Sequence, residues 1–281
     1  MSNVFQSIAA SFRRWFSALI RKAGIRAIYT LLHNADKEGE LFRTMNYGYV
    51  DLHPDARPID LPPSLENDRY PLQLYHYVAS SAPIAGRDVL EVGCGRGGGA
   101  AYIADTFSPS SLVGLDLLPA NVKFCRHRHR HPTLRFEIGD ACRLPFPDAS
   151  FDVVVNVESS HCYNDMGLFL QEVHRVLRPG GDFLFADFRG APHVATLDHT
   201  IKSSGFDVLG CETINENVVV ALEKDDARKR ALIEAHVKRR AKPHILSFAA
   251  CVGTKVFDGI RTGAIVYLHY VLRKRESTIQ V

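Results

Sequence analysis

A chain of 281 residues, 46% hydrophobic and 23% charged, has ample material for one large folded core. Its net charge of +3 is too small to argue for nucleic acid, and six scattered cysteines without a C-x-x-C pair argue against a disulfide framework or structural zinc. No stretch approaches the roughly 20 apolar residues of a membrane-spanning helix, so the expectation is a cytoplasmic protein with reduced thiols.

The first expected element is a basic helix. "VFQSIAASFRRWFSALIRKAGIRAIYTLL" carries Arg13, Arg14, Arg21, Lys22 and Arg26 and no acid, while Phe5, Ile8, Phe12, Trp15, Phe16 and Leu19 recur at helical spacing. Two readings stand: a helix lying at a membrane surface, cations toward anionic lipid, or a helix packed on the protein as part of a lid. Arginines interrupt the apolar run, which argues against a secretory signal. Residues 1–70 are read as this helix and a lid, closing with the ordered loop "NYGYVDLHPDARPIDLPPSLENDRYP".

Residues 71–281 read as one α/β domain. A helix around Leu72 to Ser80 leads into the short buried strand "DVLEV" and a glycine cluster. "SLVGLD" is the second strand, and a helix ending at Pro132 precedes the third, Leu134–Asp140. "FDVVVNVE" (Phe151–Glu158) is a β-branched run of the kind buried on both faces of a parallel sheet. An amphipathic helix, a Pro179-Gly180-Gly181 turn and a strand ending at Asp187 follow. "GFDVLGCET" and "AIVYLHYVLRK" (Ala264–Lys274) are the late strands; the charged helical stretch between them, 215–262, is placed to cap a substrate. Strands alternating with helices predict a doubly wound, mostly parallel sheet whose post-strand loops share one ligand-binding rim.

Gly93-Cys94-Gly95-Arg96-Gly97-Gly98 satisfies the G-x-G-x-x-G of dinucleotide enzymes, and equally an E-x-G-x-G-x-G pattern begun by Glu91. A carboxylate there repels a pyrophosphate held at a helix N-terminus but suits a ligand carrying ammonium and sulfonium charges. Asp116 ends the second strand where an acid takes ribose hydroxyls in either class, with Leu117 beside it. Gly139-Asp140-Ala141 ends the third strand, where Asp140 can accept from an adenine amino group between apolar neighbours.

Glu91–Gly98, Asp116, Gly139–Ala141, "LPFPDASFDVV" and "EVHRVLRPGG" together resemble the class I S-adenosylmethionine-dependent methyltransferases over residues 70 to 190. More narrowly, "MNYGYV", "LEVGCGRGGGA", "FCRHRHRHP", "NVESSHCY" and "ADFR" are similar to the phthiotriol dimycocerosate-type and related polyketide O-methyltransferases. That resemblance implies a Rossmann-like seven-stranded sheet with helices on both faces, helical N- and C-terminal lid segments and S-adenosylmethionine as cofactor. The implied acceptor is a hydroxyl of a polyketide, lipid or similar hydrophobic molecule. A carbon acceptor remains the alternative, with a nicotinamide-dependent dehydrogenase and a non-catalytic binding module further behind.

His161 lies just past the fourth strand, where a neutral imidazole can take the acceptor's proton or merely position the substrate. Asp187, on the same rim, can orient it as acid orients histidine in a triad, or accept backbone N–H bonds at its turn; related enzymes with a histidine–aspartate pair favour the first. Tyr47 and Tyr49 are candidates for a cation–π contact with the sulfonium or for lid packing. Gln73 and Tyr75 are candidates for the methionine end of the cofactor, Asn156 for a further cofactor contact, and Glu158 for the cofactor or a loop cap. His127 and His131 stand i, i+4 on an expected helix, but no convergent acid supports a metal; the run reads as a solvated basic face.

Overall fold

A computed structural model of the chain describes residues 43–276. The basic N-terminal helix therefore lies outside the described residues. Those described belong to one compact unit beginning at Arg43.

Seven strands form one sheet in the order β3-β2-β1-β4-β5-β7-β6. They are β1 (Asp88–Val92), β2 (Ser111–Asp116), β3 (Leu134–Ile138), β4 (Phe151–Val157), β5 (Leu177–Gly190), β6 (Phe206–Thr213) and β7 (Ile265–Lys274). All pairs are parallel except those made by β7, which runs antiparallel to β5 and β6. Strand order reverses between β1 and β4, so the loops after these strands part and leave a crevice at their carboxyl ends.

Alternate residues explain the two-sided burial. Val89, Leu112, Val153, Val155 and Leu184 enter one core cluster, while Leu90, Val113, Val154, Phe183 and Phe185 enter the other. A strand's period of two sends neighbours to opposite faces, and apolar residues at every position require helices on both. On the first face pack α1 (Arg69–Ala79), α2 (Gly98–Phe107) and α3 (Pro119–Arg128). On the second pack α4 (Met166–Val176) and α5 (Ala191–Lys202). In α4, Phe169, Leu170, Val173 and Val176 form the buried stripe, and the Asp165 side chain caps the first turn through the Leu168 N–H.

Between β6 and β7 lie α6 (Asn215–His236), α7 (Lys242–Phe248) and α8 (Lys255–Arg261). Val218 and Leu222 of α6 and Phe257 and Ile260 of α8 are buried in the first cluster, so part of this stretch belongs to the core.

Two local expectations are corrected. The helix before β3 ends at Arg128 rather than at Pro132, so His131 is off the helix and the i, i+4 relation with His127 dissolves. The Pro179-Gly180-Gly181 turn is an irregularity inside β5, and that strand continues three residues beyond Asp187.

Residues 43–62 form a strap with no regular structure of its own. Tyr49 N–H donates to the Tyr70 carbonyl, Val50 N–H to Asn217, and the Asn217 side chain back to the Val50 carbonyl. Gly48 has φ of +83°, and a Cβ there would lie 2.8 Å from the Tyr70 Cβ, so only glycine lets the strap approach α1 this closely.

Candidate active site

The glycine loop leaves β1 through three residues of positive φ: Gly93 (78°), Gly95 (53°) and Gly97 (76°). Gly93 N–H and Cys94 N–H both donate to the Leu115 carbonyl, which ties the loop to β2. Gly97 precedes α2 and shows why the spacing is needed. A Cβ there would stand 2.8 Å from the Phe136 ring and 2.9 Å from the Cys125 sulfur.

Two carboxylates underlie this loop. Glu91 is buried, and its Oε1 accepts from the Tyr75 hydroxyl at 2.8 Å while Oε2 makes no hydrogen bond. Burial pushes its pKa up to about 7, against the Tyr75 bond and with help from Asp116. Asp116 accepts from the Gly95 N–H (3.0 Å), the Leu118 N–H (2.8 Å) and the Asn121 amide (3.1 Å). Burial raises its pKa too, against those donors. A buried carboxylate oxygen without a donor is a costly arrangement that a nearby ammonium relieves and a pyrophosphate aggravates. The residues present thus fit a cationic, phosphate-free nucleoside. Farther along the rim, Asp140 is exposed and caps its own turn through the Cys142 N–H, Ala141 is buried, and Leu117 stands 42% exposed.

The second half of the site lies after β4 and β5. His161 Nδ1 is 2.8 Å from Asp187 Oδ1, and its backbone N–H donates to Asp187 Oδ2 at 2.9 Å. The Ser160 hydroxyl donates to Oδ2 (2.6 Å) and the Phe188 N–H to Oδ1 (2.8 Å). Arg189 stands 3.2 Å from Oδ2 and also donates to the Ser160 hydroxyl. Burial works against the Asp187 charge, but His161 and Arg189 hold its pKa well below the usual carboxylate range. For His161, burial pulls downward while the charge and hydrogen bond of Asp187, with Cys162, prevail and push the pKa up to about 10. Asp187 therefore favours the imidazolium over the neutral ring expected of an unperturbed histidine. Phe188 stacks on the imidazole at 4.4 Å, and Tyr47 stacks on Phe188 at 5.3 Å.

Glu158 joins strap, β4 and β7. It takes φ of +45°, a left-handed conformation rare for a non-glycine residue, and its Oε1 accepts from the Tyr47 N–H and the Tyr267 hydroxyl. Burial pushes its pKa up to about 8, against those two donors.

The structure brings together Glu91, Gly93, Gly95, Gly97 and Asp116 at one end, and His161, Asp187, Glu158 and Tyr47 at the other. Three further candidates also tie neighbouring elements together. Tyr49 stacks on Tyr77 at 4.1 Å, next to a hydrogen bond between Tyr77 and Glu212 at the β6 side. Gln73 donates to the Tyr49 carbonyl and holds the strap. Asn156 donates to the Val92 carbonyl and lies within hydrogen-bond distance of Ser159 and Tyr163, stitching β4 to β1. Ser160, Arg189 and Tyr267 escaped the sequence reading. The first two are polar neighbours of His161 and Asp187 at strand ends, which is a usable signal; Tyr267 sits in an apolar strand and offers none.

Doubly wound sheet, reversed seventh strand and acid-preceded glycine loop define a class I S-adenosylmethionine-dependent methyltransferase. A family described as Methyltransferase domain matches residues 90–185. A phthiotriol/phenolphthiotriol dimycocerosates methyltransferase of Mycobacterium ulcerans is 40% identical over 266 residues, covering 94% of this chain and 90% of that protein. The chain belongs to this methyltransferase family, and the dehydrogenase alternative falls away. A fatty-acid O-methyltransferase of Mycolicibacterium smegmatis is 47% identical over 64% of this chain and 65% of its own length. Among solved structures, geranyl diphosphate C-methyltransferase from Streptomyces coelicolor, in complex with S-adenosyl-L-homocysteine, shares the fold with a TM-score of 0.60 at 16% identity, covering 84% of this chain and 92% of that one. Among the described residues, no helix is long and apolar enough to cross a membrane and no cluster suits a metal ion.

Proposed function

We propose that the chain transfers a methyl group to an oxygen of a hydrophobic lipid or polyketide acceptor, with the His161–Asp187 pair at the reacting end. The observation that carries this reading is the 2.8 Å contact between His161 Nδ1 and a fully buried Asp187 on the rim between β4 and β5. S-adenosylmethionine, when bound, supplies an electrophilic methyl group on sulfonium. Glu91 meets its ammonium, Asp116 its ribose hydroxyls, and Asp140, Ala141 and Leu117 its adenine. The exposed apolar surface of Leu117 and of Ile138 (48%) suits that flat ring.

Asp187 fixes the imidazole by Nδ1 and leaves Nε2 to face the acceptor. A hydroxyl acceptor gives its proton to Nε2 only in the neutral form of the ring, a minor population at pH 7 that grows tenfold with each pH unit toward 10. The raised His161 pKa favours a second reading of the acceptor. An imidazolium binds a carboxylate directly, and a carboxylate has no proton to lose. The fatty-acid O-methyltransferase named above is a relative of that kind. Phe188 and Tyr47, both partly exposed and backed by the buried Tyr267, offer aromatic surface to an apolar chain.

The experiment is methyl transfer from labelled cofactor to a long-chain alcohol and to a fatty acid across pH 6–10. The hydroxyl reading expects a rate rising with pH; the carboxylate reading expects a flat profile that falls as His161 deprotonates. His161→Ala turning over either acceptor at the wild-type rate overturns both.

A further inference from the structure

A cavity of about 330 Å³ lies outside this rim, lined by the start of the strap, the outer side of α2 and the residues that follow α3. Arg43, Arg128 and Arg130 line it, and among the described residues none of the three side chains makes a hydrogen bond or ion pair. Their neighbour Arg126 is differently placed, bonded to the Phe136 carbonyl and to Glu137. The charges of Arg43 and Arg128 both bear on His129, whose ring is held against the Arg96 carbonyl and whose pKa burial and these cations lower.

Two acids share the cavity, and one of them, Asp68, feels the Arg43 charge without forming an ion pair with it. Asp105 lies 3.7 Å from His131, and Asp68 is buried, takes the Thr44 hydroxyl and has its pKa raised by burial. Three guanidinium groups lining one cavity with two acids leave it net positive, which attracts an anion.

We infer that this cavity is a binding site for a phosphate group, carried by a small ester or by an anionic lipid headgroup. Arg43, Arg128 and Arg130 present planar forks that match phosphate oxygens two at a time. Thr44 and Ser64 add hydroxyls, and Leu65 and Leu72 offer apolar surface to the organic part. The volume is at the lower end of the roughly 300–1,000 Å³ of small-molecule sites. The site stands apart from the His161–Asp187 pair and does not depend on how the acceptor is read.

The test uses the full chain and two probes: glycerol 3-phosphate, and phosphatidylcholine vesicles with and without phosphatidylglycerol. Wild-type protein is expected to bind at least one phosphate probe, and Arg128→Ala/Arg130→Ala to bind it about tenfold more weakly or worse. Cofactor affinity, unchanged in the double variant, reports that it is folded; the single exposed change Arg130→Ala is expected to show a smaller loss in the same direction. The basic residues before Arg43 are common to all these proteins and cancel in the comparison. Binding to the soluble ester alone assigns a free phosphate compound, and binding to phosphatidylglycerol vesicles alone assigns a lipid surface. Equal binding by wild type and the double variant, or no binding of either probe by wild type, overturns the inference.

Discussion

At the scale of single residues, His161 and Glu91 carry opposite electrostatic problems. His161 is charged because Asp187 holds its proton, and replacing Asp187 by Asn removes the charge that does so. Asp187→Asn is expected to bring the His161 pKa down from about 10 and to lower turnover by about 10²-fold or more as the ring loses its orientation. A proton titration of His161 by NMR beside a kcat measurement checks both, and cofactor affinity should scarcely move. Glu91, with a pKa of about 7, is charged in only half of the molecules at neutral pH. A ligand ammonium selects the charged half. Cofactor affinity should therefore weaken as pH falls from 8 to 6, approaching tenfold per unit below the pKa. In Glu91→Gln the affinity should be lower and flat with pH, and calorimetric titration at three pH values decides it. A wild-type affinity that ignores pH would mean that the ammonium is bound elsewhere.

At the scale of elements, the glycine loop joins a strand to a helix with no room for side chains. Gly97→Ala places a methyl group 2.8 Å from the Phe136 ring at a φ of +76°. The left-handed backbone costs about 1–2 kcal/mol and the overpacking about 1–3 more, so chemical denaturation should show a loss of roughly 2–5 kcal/mol. Cofactor binding should fall with it, since the loop moves to accommodate the methyl group. Unaltered stability would mean that Phe136 and Cys125 yield without cost. These glycines were legible in the sequence because backbone geometry at a strand–helix turn leaves no other residue type. β1 and β2 were legible because both their faces are buried, which writes unbroken apolar runs. His161 was legible because it follows β4 at the rim, and Asp187 because the apolar run of β5 carries it to the same rim. The destinations of Tyr49, Gln73 and Asn156 were not. Gly48 turns the strap between Tyr47 and Tyr49 and sends one ring toward Phe188 and the other toward Tyr77. No pattern along the chain encodes that divergence, because α1 and α6, remote in sequence, set the strap's course.

At the scale of the whole molecule, the same rim makes stability depend on pH. Glu91 and Glu158 have folded pKa values of about 7 and 8 against an ordinary 4.5, and His161 about 10 against 6.5. All three are raised, so each holds its proton more tightly in the folded chain. Their stabilisation is complete below the ordinary values and is lost as pH rises through the folded ones. Asp187 has the opposite sign: its stabilisation is present above the ordinary value and is lost only as pH falls below it. From these groups the cofactor-free protein should accordingly be most stable near pH 4–5 and should soften steadily toward pH 9. For each buried carboxyl, every pH unit between the two values is worth up to about 1.4 kcal/mol, and each kcal/mol moves the midpoint by roughly 2–4 °C in a chain of this size. Thermal melting at pH 5.5, 7 and 8.5 should therefore show a fall of several degrees. Glu158→Gln keeps an oxygen for Tyr47 and Tyr267 but has no proton to lose, so its melting curve should fall less between pH 7 and 8.5. Were wild type and Glu158→Gln to lose stability in parallel, the strap would be held by contacts other than this carboxyl. Saturating cofactor should also lessen the fall, because its positive charge favours the ionised Glu91 that the empty fold disfavours.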